Sequence, residues 1–446
     1  MTVWDSQSVA AALGVSAPKA LRFSGVSTDT RHLTPGTLFV ALKGERFDAH
    51  AFLADARTRG AAAAVVRRGT AAVDGLPFFE VADTLAGLGL LARARRRLLR
   101  PGSPVVAITG SSGKTSTKEM IRAVLATKYR VHATTGNLNN LVGVPLTILE
   151  APDDVEALVV EAGASEPGEI AKLRDIIEPS IAVITNVGYA HVEGFGSLAG
   201  VRREKLALLE GAPVAVVGTD PPELAREARR GVRTVVAGTE RGADVRPDAA
   251  DLDEAGHPRI TWAGHSVTVP VLGFHQIENA MIALAVGREA GVDPARAVAA
   301  LAGVRLPAGR GTVLERGALT VLDDSYNANP ASLRWAVKFA HWLAERRGRP
   351  LAVVVGSMLE LGPESARLHA AAAREIAGLE PALVAAVGEF VPAFEPLRGA
   401  LGERLITAPD AEALGPKLRE ALQGHEIVLL KASRGVALER VLQHLG

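Results

Sequence analysis

The segment Thr109-Gly110-Ser111-Ser112-Gly113-Lys114-Thr115 combines small, flexible and cationic residues in an order suited to holding a polyphosphate. Gly110 and Gly113 let the backbone come close to phosphate oxygens, and N–H groups at a helix start can bind them. Ser111 and Ser112 add hydroxyls, Lys114 offers a point charge to the β- and γ-phosphates, and the Thr115 hydroxyl is placed to ligate Mg²⁺. The usual pattern has a further Gly five residues before the second one. Ile108 stands there instead, so the loop is shorter than usual. Nucleotide binding is the expected chemistry. The loop alone does not choose between a ligase, a kinase, a motor and a switch.

A second signal is compositional. The chain has seven Asn: Asn137, Asn139, Asn140, Asn186, Asn279, Asn327 and Asn329. Five of them crowd into 137–140 and 327–329. A residue that is scarce except in tight clusters points to a need for its amide there, although Asn also simply suits turns.

These residues need elements to position them. VVAIT at 105–109 reads as a buried strand, with a helix expected from Ser116 to about Tyr129 after the Gly-rich turn. Apolar runs at 157–163, 181–187 and 212–218, with helical stretches between, imply a parallel, doubly wound sheet. A fresh alternation follows residue 308, with strands expected at 320–324, 351–356, 382–388 and 426–432. Before residue 100, short apolar runs at 38–42 and 61–66 suggest a small α/β unit. The fold class is therefore α/β in three domains, with expected bounds 1–100, 101–308 and 309–446. Pro101-Gly102-Ser103-Pro104 marks the first break, since it cannot continue a helix. The basic run LARARRRLLR before it is expected to be a solvated helix face.

Bulk properties narrow the function classes. At 446 residues the chain exceeds one ordinary core. Lys plus Arg is 50 and Asp plus Glu 49, which argues against broad binding to nucleic acid or an anionic membrane. No cysteine is present, so neither disulfides nor thiol chemistry operate. The start, MTVWDSQSVAAALG, shows no basic stretch followed by an apolar run, and no run of about 18 apolar residues could span a bilayer. A cytoplasmic, monomeric protein is expected.

Five further segments carry a family resemblance. They are Gly136-Asn137-Leu138-Asn139-Asn140-Leu141-Val142-Gly143-Val144-Pro145-Leu146-Thr147, Ile184-Thr185-Asn186-Val187-Gly188-Tyr189-Ala190-His191-Val192-Glu193, and Phe274-His275-Gln276-Ile277-Glu278-Asn279-Ala280. With them come Asp323-Asp324-Ser325-Tyr326-Asn327-Ala328-Asn329-Pro330 and, near the start, Val26-Ser27-Thr28-Asp29-Thr30-Arg31 followed by the run at 38–48. Taken in order, these span the chain, which resembles the muramyl peptide ligases. The 323–330 and N-terminal segments look like those of the member that adds D-Ala-D-Ala. Two positions depart from the family pattern: Ser357 stands for its usual Asp and Ala432 for its usual Gly.

The resemblance implies an N-terminal UDP-binding domain, a central P-loop ATPase domain and a C-terminal Rossmann-like domain. It implies ATP-dependent joining of D-Ala-D-Ala to UDP-N-acetylmuramoyl-tripeptide through an acyl phosphate, a step in peptidoglycan precursor synthesis. On that reading Lys114, Glu161, His191 and Lys205 are catalytic. Thr115, Glu161, His191 and Lys205, the last as a CO₂-derived carbamate, would surround two Mg²⁺. Asn279, Arg310 and Asp324 would complete the ATP site. Ser27, Thr28, Asp29, Thr30, Arg31 and Lys43, with Asn137, Asn139 and Asn140, would hold the UDP-linked substrate. Tyr326, Asn327, Asn329, Lys431, Ser433 and Arg434 would meet the dipeptide or the growing peptide. Three rivals stay open: a sibling that adds one amino acid, a folate polyglutamate ligase, and a P-loop switch or motor whose hydrolysis ignores any UDP-sugar.

Overall fold

Val105–Thr109, Ala157–Glu161 and Ile181–Ile184 are strands buried along their whole length. Such continuous burial is what a parallel sheet covered by helices on both faces requires. They form the middle of a six-stranded, wholly parallel sheet in the order Arg233–Val236, Val214–Val217, Ile181–Ile184, Val105–Thr109, Ala157–Glu161, Val131–Ala133. The computed structural model describes residues 4–44 and 47–445, so Glu45 and Arg46 of the 38–48 segment lie outside the described residues. Alternate strand residues serve opposite faces, as the two-residue repeat dictates. Val106, Ile108 and Val183 join the core under helices Lys114–Ala126 and His275–Glu289. Val105, Ala107 and Ile184 join the core under helices Gly143–Leu149 and Glu169–Ile177.

From Val105–Thr109 the chain runs out to Val131–Ala133, returns to Ala157–Glu161, and then crosses to Ile181–Ile184 on the other side. Loops leaving the carboxyl ends of the central strands therefore part in opposite directions, which opens a crevice for a ligand. The helix after the Gly-rich turn starts at Lys114 rather than Ser116, capped by Gly113 at φ 79°. A three-stranded antiparallel sheet, Ala249–Leu252, Pro258–Trp262 and His265–Thr268, was not expected from sequence. It tucks Ile260 into the same core.

All four strands expected after residue 308 are present. Their sheet runs Thr312–Arg316, Leu319–Asp323, Ile427–Lys431, Leu351–Val355, Leu383–Val387, Leu405–Ala408, antiparallel at the first pair and parallel elsewhere. The N-terminal region holds a four-stranded parallel sheet, Val26–Ser27, Leu38–Val40, Ala63–Arg67 and Phe78–Val81. Among the described residues no helix is long and apolar enough to cross a membrane.

The basic run at the end of helix Thr84–Arg96 is not a solvated face. Arg95 is 5% exposed and donates to the carbonyls of Ala151 (2.8 Å) and Pro152 (3.0 Å). Arg96 donates to the Ile177 carbonyl at 2.9 Å, while Arg93 and Arg97 pair with Glu178 at 2.7 and 2.5 Å. Ile177 ends helix Glu169–Ile177, where carbonyls lack partners within the helix, and arginine forks supply them. The hydrogen bond from Arg97 is the main cause that takes the Glu178 carboxyl down to about 2. The cluster clamps the N-terminal region onto the central sheet.

Candidate active site

One cleft of about 600 Å³ opens at the carboxyl ends of the central strands and is closed from the far side by the third sheet. All seven Asn of the chain line it. Of the other expected site residues it gathers Ser111 to Thr115, Glu161, His191, Lys205, Arg310, Asp324, Tyr326, Lys431 and Arg434.

The phosphate loop is braced from its neighbour strand. Asn186 accepts from the Ser112 backbone N–H at 2.9 Å and donates to the Ser112 carbonyl at 3.2 Å, and the Thr185 hydroxyl donates to that carbonyl at 2.6 Å. Gly110 has φ 154°, and a Cβ there would overlap the Thr185 hydroxyl. At Gly113 a Cβ would meet Asn279 Oδ1 at 2.7 Å. The two glycines are thus demanded by packing as well as by phosphate access. Asn279 is 5% exposed, accepts from Thr117 at 3.1 Å and donates to Gln276 at 2.9 Å. Lys114 donates to the Gly110 carbonyl at 2.7 Å. Burial lowers its pKa, with Arg310 adding repulsion and Glu161 opposing both. An ammonium held this way gains from a bound phosphate.

Oxygen donors for a cation stand beside the loop. The Thr115 hydroxyl donates to Glu161 Oε2 at 2.9 Å, and Asn139 donates to Glu161 Oε1 at 3.0 Å. Glu161 is 3% exposed, and its hard oxygens next to a hydroxyl suit Mg²⁺. His191 lines the same cleft at φ 55°. Among the described residues, no group of three or more His, Asp or Glu is placed to hold a metal by itself. A cation here would be completed by the Thr115 hydroxyl, by ligand oxygens and by whatever Lys205 presents. Lys205 is 4% exposed, and among the described residues its ammonium has no hydrogen-bond or ion-pair partner. Burial first, and the neighbouring Lys114 charge second, lower it to about 7. The adjacent Glu204 is committed elsewhere, accepting from the N–H groups of Gly168 (2.8 Å) and Ile170 (2.7 Å).

The third sheet supplies the opposite wall. Arg310 lies 4.2 Å over the Tyr326 ring, and Arg434 flanks the same ring at 5.7 Å. Asn329 caps helix Pro330–Arg347 and donates across the cleft to the Ser111 carbonyl (3.1 Å) and the Ser112 hydroxyl (2.9 Å). Lys431 places its ammonium against Asp324 Oδ2 (2.5 Å) and the carbonyls of Asp324 (3.3 Å) and Asn327 (2.7 Å). Three N–H donors meet three acceptors, which leaves none for a substrate carboxylate. Ser433 donates its one O–H to the Ala328 carbonyl at 3.1 Å and accepts from Leu359 N–H at 2.9 Å, outside the cleft lining. Of the three basic or hydroxyl residues expected to bind peptide here, Arg434 keeps donors for the cleft, while Lys431 and Ser433 frame it.

A family model of the Mur ligase middle domain matches residues 108–287, the Mur ligase glutamate ligase domain matches 309–434, and the Mur ligase family catalytic domain matches 22–94. The UDP-N-acetylmuramoyl-tripeptide–D-alanyl-D-alanine ligase of Bacillus subtilis (strain 168) is 35% identical over 429 residues, covering 94% of this chain and 93% of that one. The chain belongs to the Mur ligase family. Among solved structures, a MurF from Acinetobacter baumannii matches with TM-score 0.90 at 32% identity, over 100% of this chain and 99% of that one. A MurF ligase from Thermotoga maritima in complex with ADP matches with TM-score 0.82 at 31% identity, over 94% and 96%.

In this Mur ligase the expected UDP-binding residues Ser27, Thr28, Asp29, Thr30, Arg31 and Lys43 lie outside the cleft lining. Ser27 to Arg31 form their own turn. Ser27 accepts from Asp29 N–H at 3.2 Å, and Asp29 pairs with Arg31 at 2.6 Å, which holds its carboxyl down at about 2. Lys43 pairs with Asp48 at 3.6 Å. Helix Gly143–Leu149 joins the two places, since it packs on strand Val26–Ser27 while the Asn turn before it faces the cleft. Asn140 braces the turn into that helix, accepting from Val142 and Gly143 N–H at 3.1 and 2.8 Å. Ser357 and Ala432, where this chain departs from the family pattern, are buried and do not line the cleft. Sequence reasoning assigned no role to Asn186, Thr185 or Trp335, which also line it. The scarcity of Asn was the available signal for the first.

Proposed function

We propose that this chain joins D-alanyl-D-alanine to UDP-N-acetylmuramoyl-tripeptide at the expense of ATP, releasing ADP and phosphate. The observation that carries this reading is the convergence, in one cleft, of the Lys114 loop, Glu161, Lys205 and the 323–330 segment from the third sheet. The relatives named above, matched over nearly their whole length, point the same way.

In the reaction a carboxylate oxygen of the tripeptide attacks the γ-phosphorus and ADP leaves. The dipeptide amine then attacks the acyl carbon and phosphate departs. Because phosphoryl transfer asks mainly for positioning and charge neutralisation, the protein's groups can be assigned by where they stand. The Ser111 to Thr115 loop and Lys114 hold the β- and γ-phosphates. Arg310 and Asp324, from the third sheet, meet the nucleotide's far side, so ATP is held between two sheets. Asn279 is assigned to the adenine end, Asn139 and Asn137 to the UDP-linked substrate, and Tyr326, Asn327 and Arg434 to the peptide.

Thr115, Glu161 and His191 would hold Mg²⁺, which spreads the charge that builds on the transferred group. With its amine near 7, Lys205 is substantially neutral at physiological pH and can add to CO₂, losing a proton and becoming an anionic carbamate. That change turns an unpartnered buried cation into an oxygen donor facing the cleft. The bounds near residues 100 and 308, a monomeric state and a cytoplasmic site of action, where ATP is at hand, belong to the same proposal.

Phosphate release with ATP, UDP-N-acetylmuramoyl-tripeptide and either D-Ala-D-Ala or a single amino acid tests it. Release with the dipeptide alone is expected. Release with one amino acid, or turnover indifferent to the UDP-linked substrate, would replace this reading with one of the rivals.

A further inference from the structure

The loop after strand Leu351–Val355 reaches from the third sheet to the segment that carries His191. There the Glu360 carboxylate comes to 2.6 Å from His191 Nδ1, an ion-pair distance without hydrogen-bond alignment. The Glu360 carbonyl also accepts from Glu193 N–H at 3.1 Å. His191 (φ 55°) and Glu360 (φ 62°) both lie in the left-handed region. Non-glycine residues rarely rest in that region, so the surrounding structure holds both backbones there. His191 lines the cleft whereas Glu360 does not. With Nδ1 buried against the carboxylate, Nε2 is the nitrogen left to face the cleft.

We infer that Glu360 is a positioning residue for His191: its carboxylate beside Nδ1 favours the proton on that nitrogen, so that the tautomer and ring orientation present the Nε2 lone pair to a divalent cation. The inference rests on the proposed role of His191 as a cation ligand. A carboxylate behind a ligating imidazole fixes its orientation and raises its basicity. Here the carboxylate and the imidazole come from different sheets. Docking of the third sheet's loop is therefore a condition for a fully formed cation site, which ties the wall that meets the peptide to the charge that assists phosphoryl transfer.

The test is Mn²⁺ binding to the full chain with ADP present, followed by electron paramagnetic resonance. Glu360→Ala is expected to weaken Mn²⁺ about 10- to 100-fold, the range seen when the partner behind a metal-bound histidine is lost, with Glu360→Gln weaker in effect and the melting temperature unchanged. In a His191→Ala background, Glu360→Ala should add nothing. Arg367→Ala is the control: Arg367 sits 5.7 Å from the Tyr189 ring in the same docking region without touching His191, and its loss should leave Mn²⁺ affinity as it was. Unchanged affinity in Glu360→Ala, an equal loss in Arg367→Ala, or additive losses in the double variant would overturn the positioning role. If His191→Ala alone binds Mn²⁺ like the parent, the ligand role of His191 fails instead.

Discussion

Lys205 is the residue whose surroundings ask most for an explanation. A buried ammonium with no hydrogen-bond or ion-pair partner among the described residues is costly, and this one stands beside a second cation, Lys114. The carbamate proposed for it would resolve the conflict by reversing the sign of the charge. Lys205→Ala should therefore lower kcat about 100-fold or more, the scale expected when a preorganised charge at a reacting group is removed, and added bicarbonate should not restore it. The pH dependence follows from the lowered pKa. Above about 7 the amine is neutral and can add to CO₂, and below it the amine is protonated and cannot. Protein stripped of CO₂ and then returned to a fixed dissolved CO₂ level should regain activity near pH 8 and not near pH 6. Equal recovery at both would remove Lys205 from the mechanism. Lys431 makes the opposite case. Its ammonium is saturated by Asp324 and two carbonyls, so its charge serves the frame of the site.

At the scale of elements, the arginines that end helix Thr84–Arg96 carry a testable consequence through Glu178. Its carboxyl is held at about 2 against an ordinary value of 4.5. A carboxylate depressed in the folded state stabilises fully above the unfolded value, and that contribution disappears as pH falls through the folded one. Glu178→Gln should lower stability by about 1 kcal/mol near pH 7, the scale of a partly exposed ion pair, and the difference from the parent should vanish between about pH 4.5 and 2. Thermal melts across that range check it. The same element shows where sequence reading stops. The central strands were legible because Val105–Thr109 or Leu351–Val355 are apolar runs with no polar alternative. Edge strands such as Thr312–Arg316 and Ala249–Leu252 are exposed or half-buried over most of their length and present no continuous apolar run to read. The arginine run looked solvated because its acceptors, carbonyls at 151, 152 and 177, lie far away in sequence. The cleft was announced by the Gly-rich turn and the scarce amides. That local carbonyls would claim Lys431 and Ser433 was not readable from residue types, since strand ends fix backbone acceptors that no pattern records.

Across the whole molecule, the third sheet reaches the nucleotide loop through Asn329, which makes three polar contacts with Ser111 and Ser112 while capping helix Pro330–Arg347. Asn329→Ala removes cap and bridge together. It should cost about 1–2 kcal/mol of stability, the usual range for an N-cap, and raise KM for ATP more than a cap variant elsewhere, such as Asp410→Ala at helix Ala411–Ala421. Matching KM values in the two variants would reduce Asn329 to a cap. The gathering of all seven Asn around one cleft reaches beyond binding. Asparagine is among the thermolabile side chains, and slow hydrolysis of its carboxamide leaves aspartate. Ageing at high temperature would then seed new negative charge where phosphates must settle while the apolar cores stay whole: such a molecule wears out as a catalyst before it wears out as a fold.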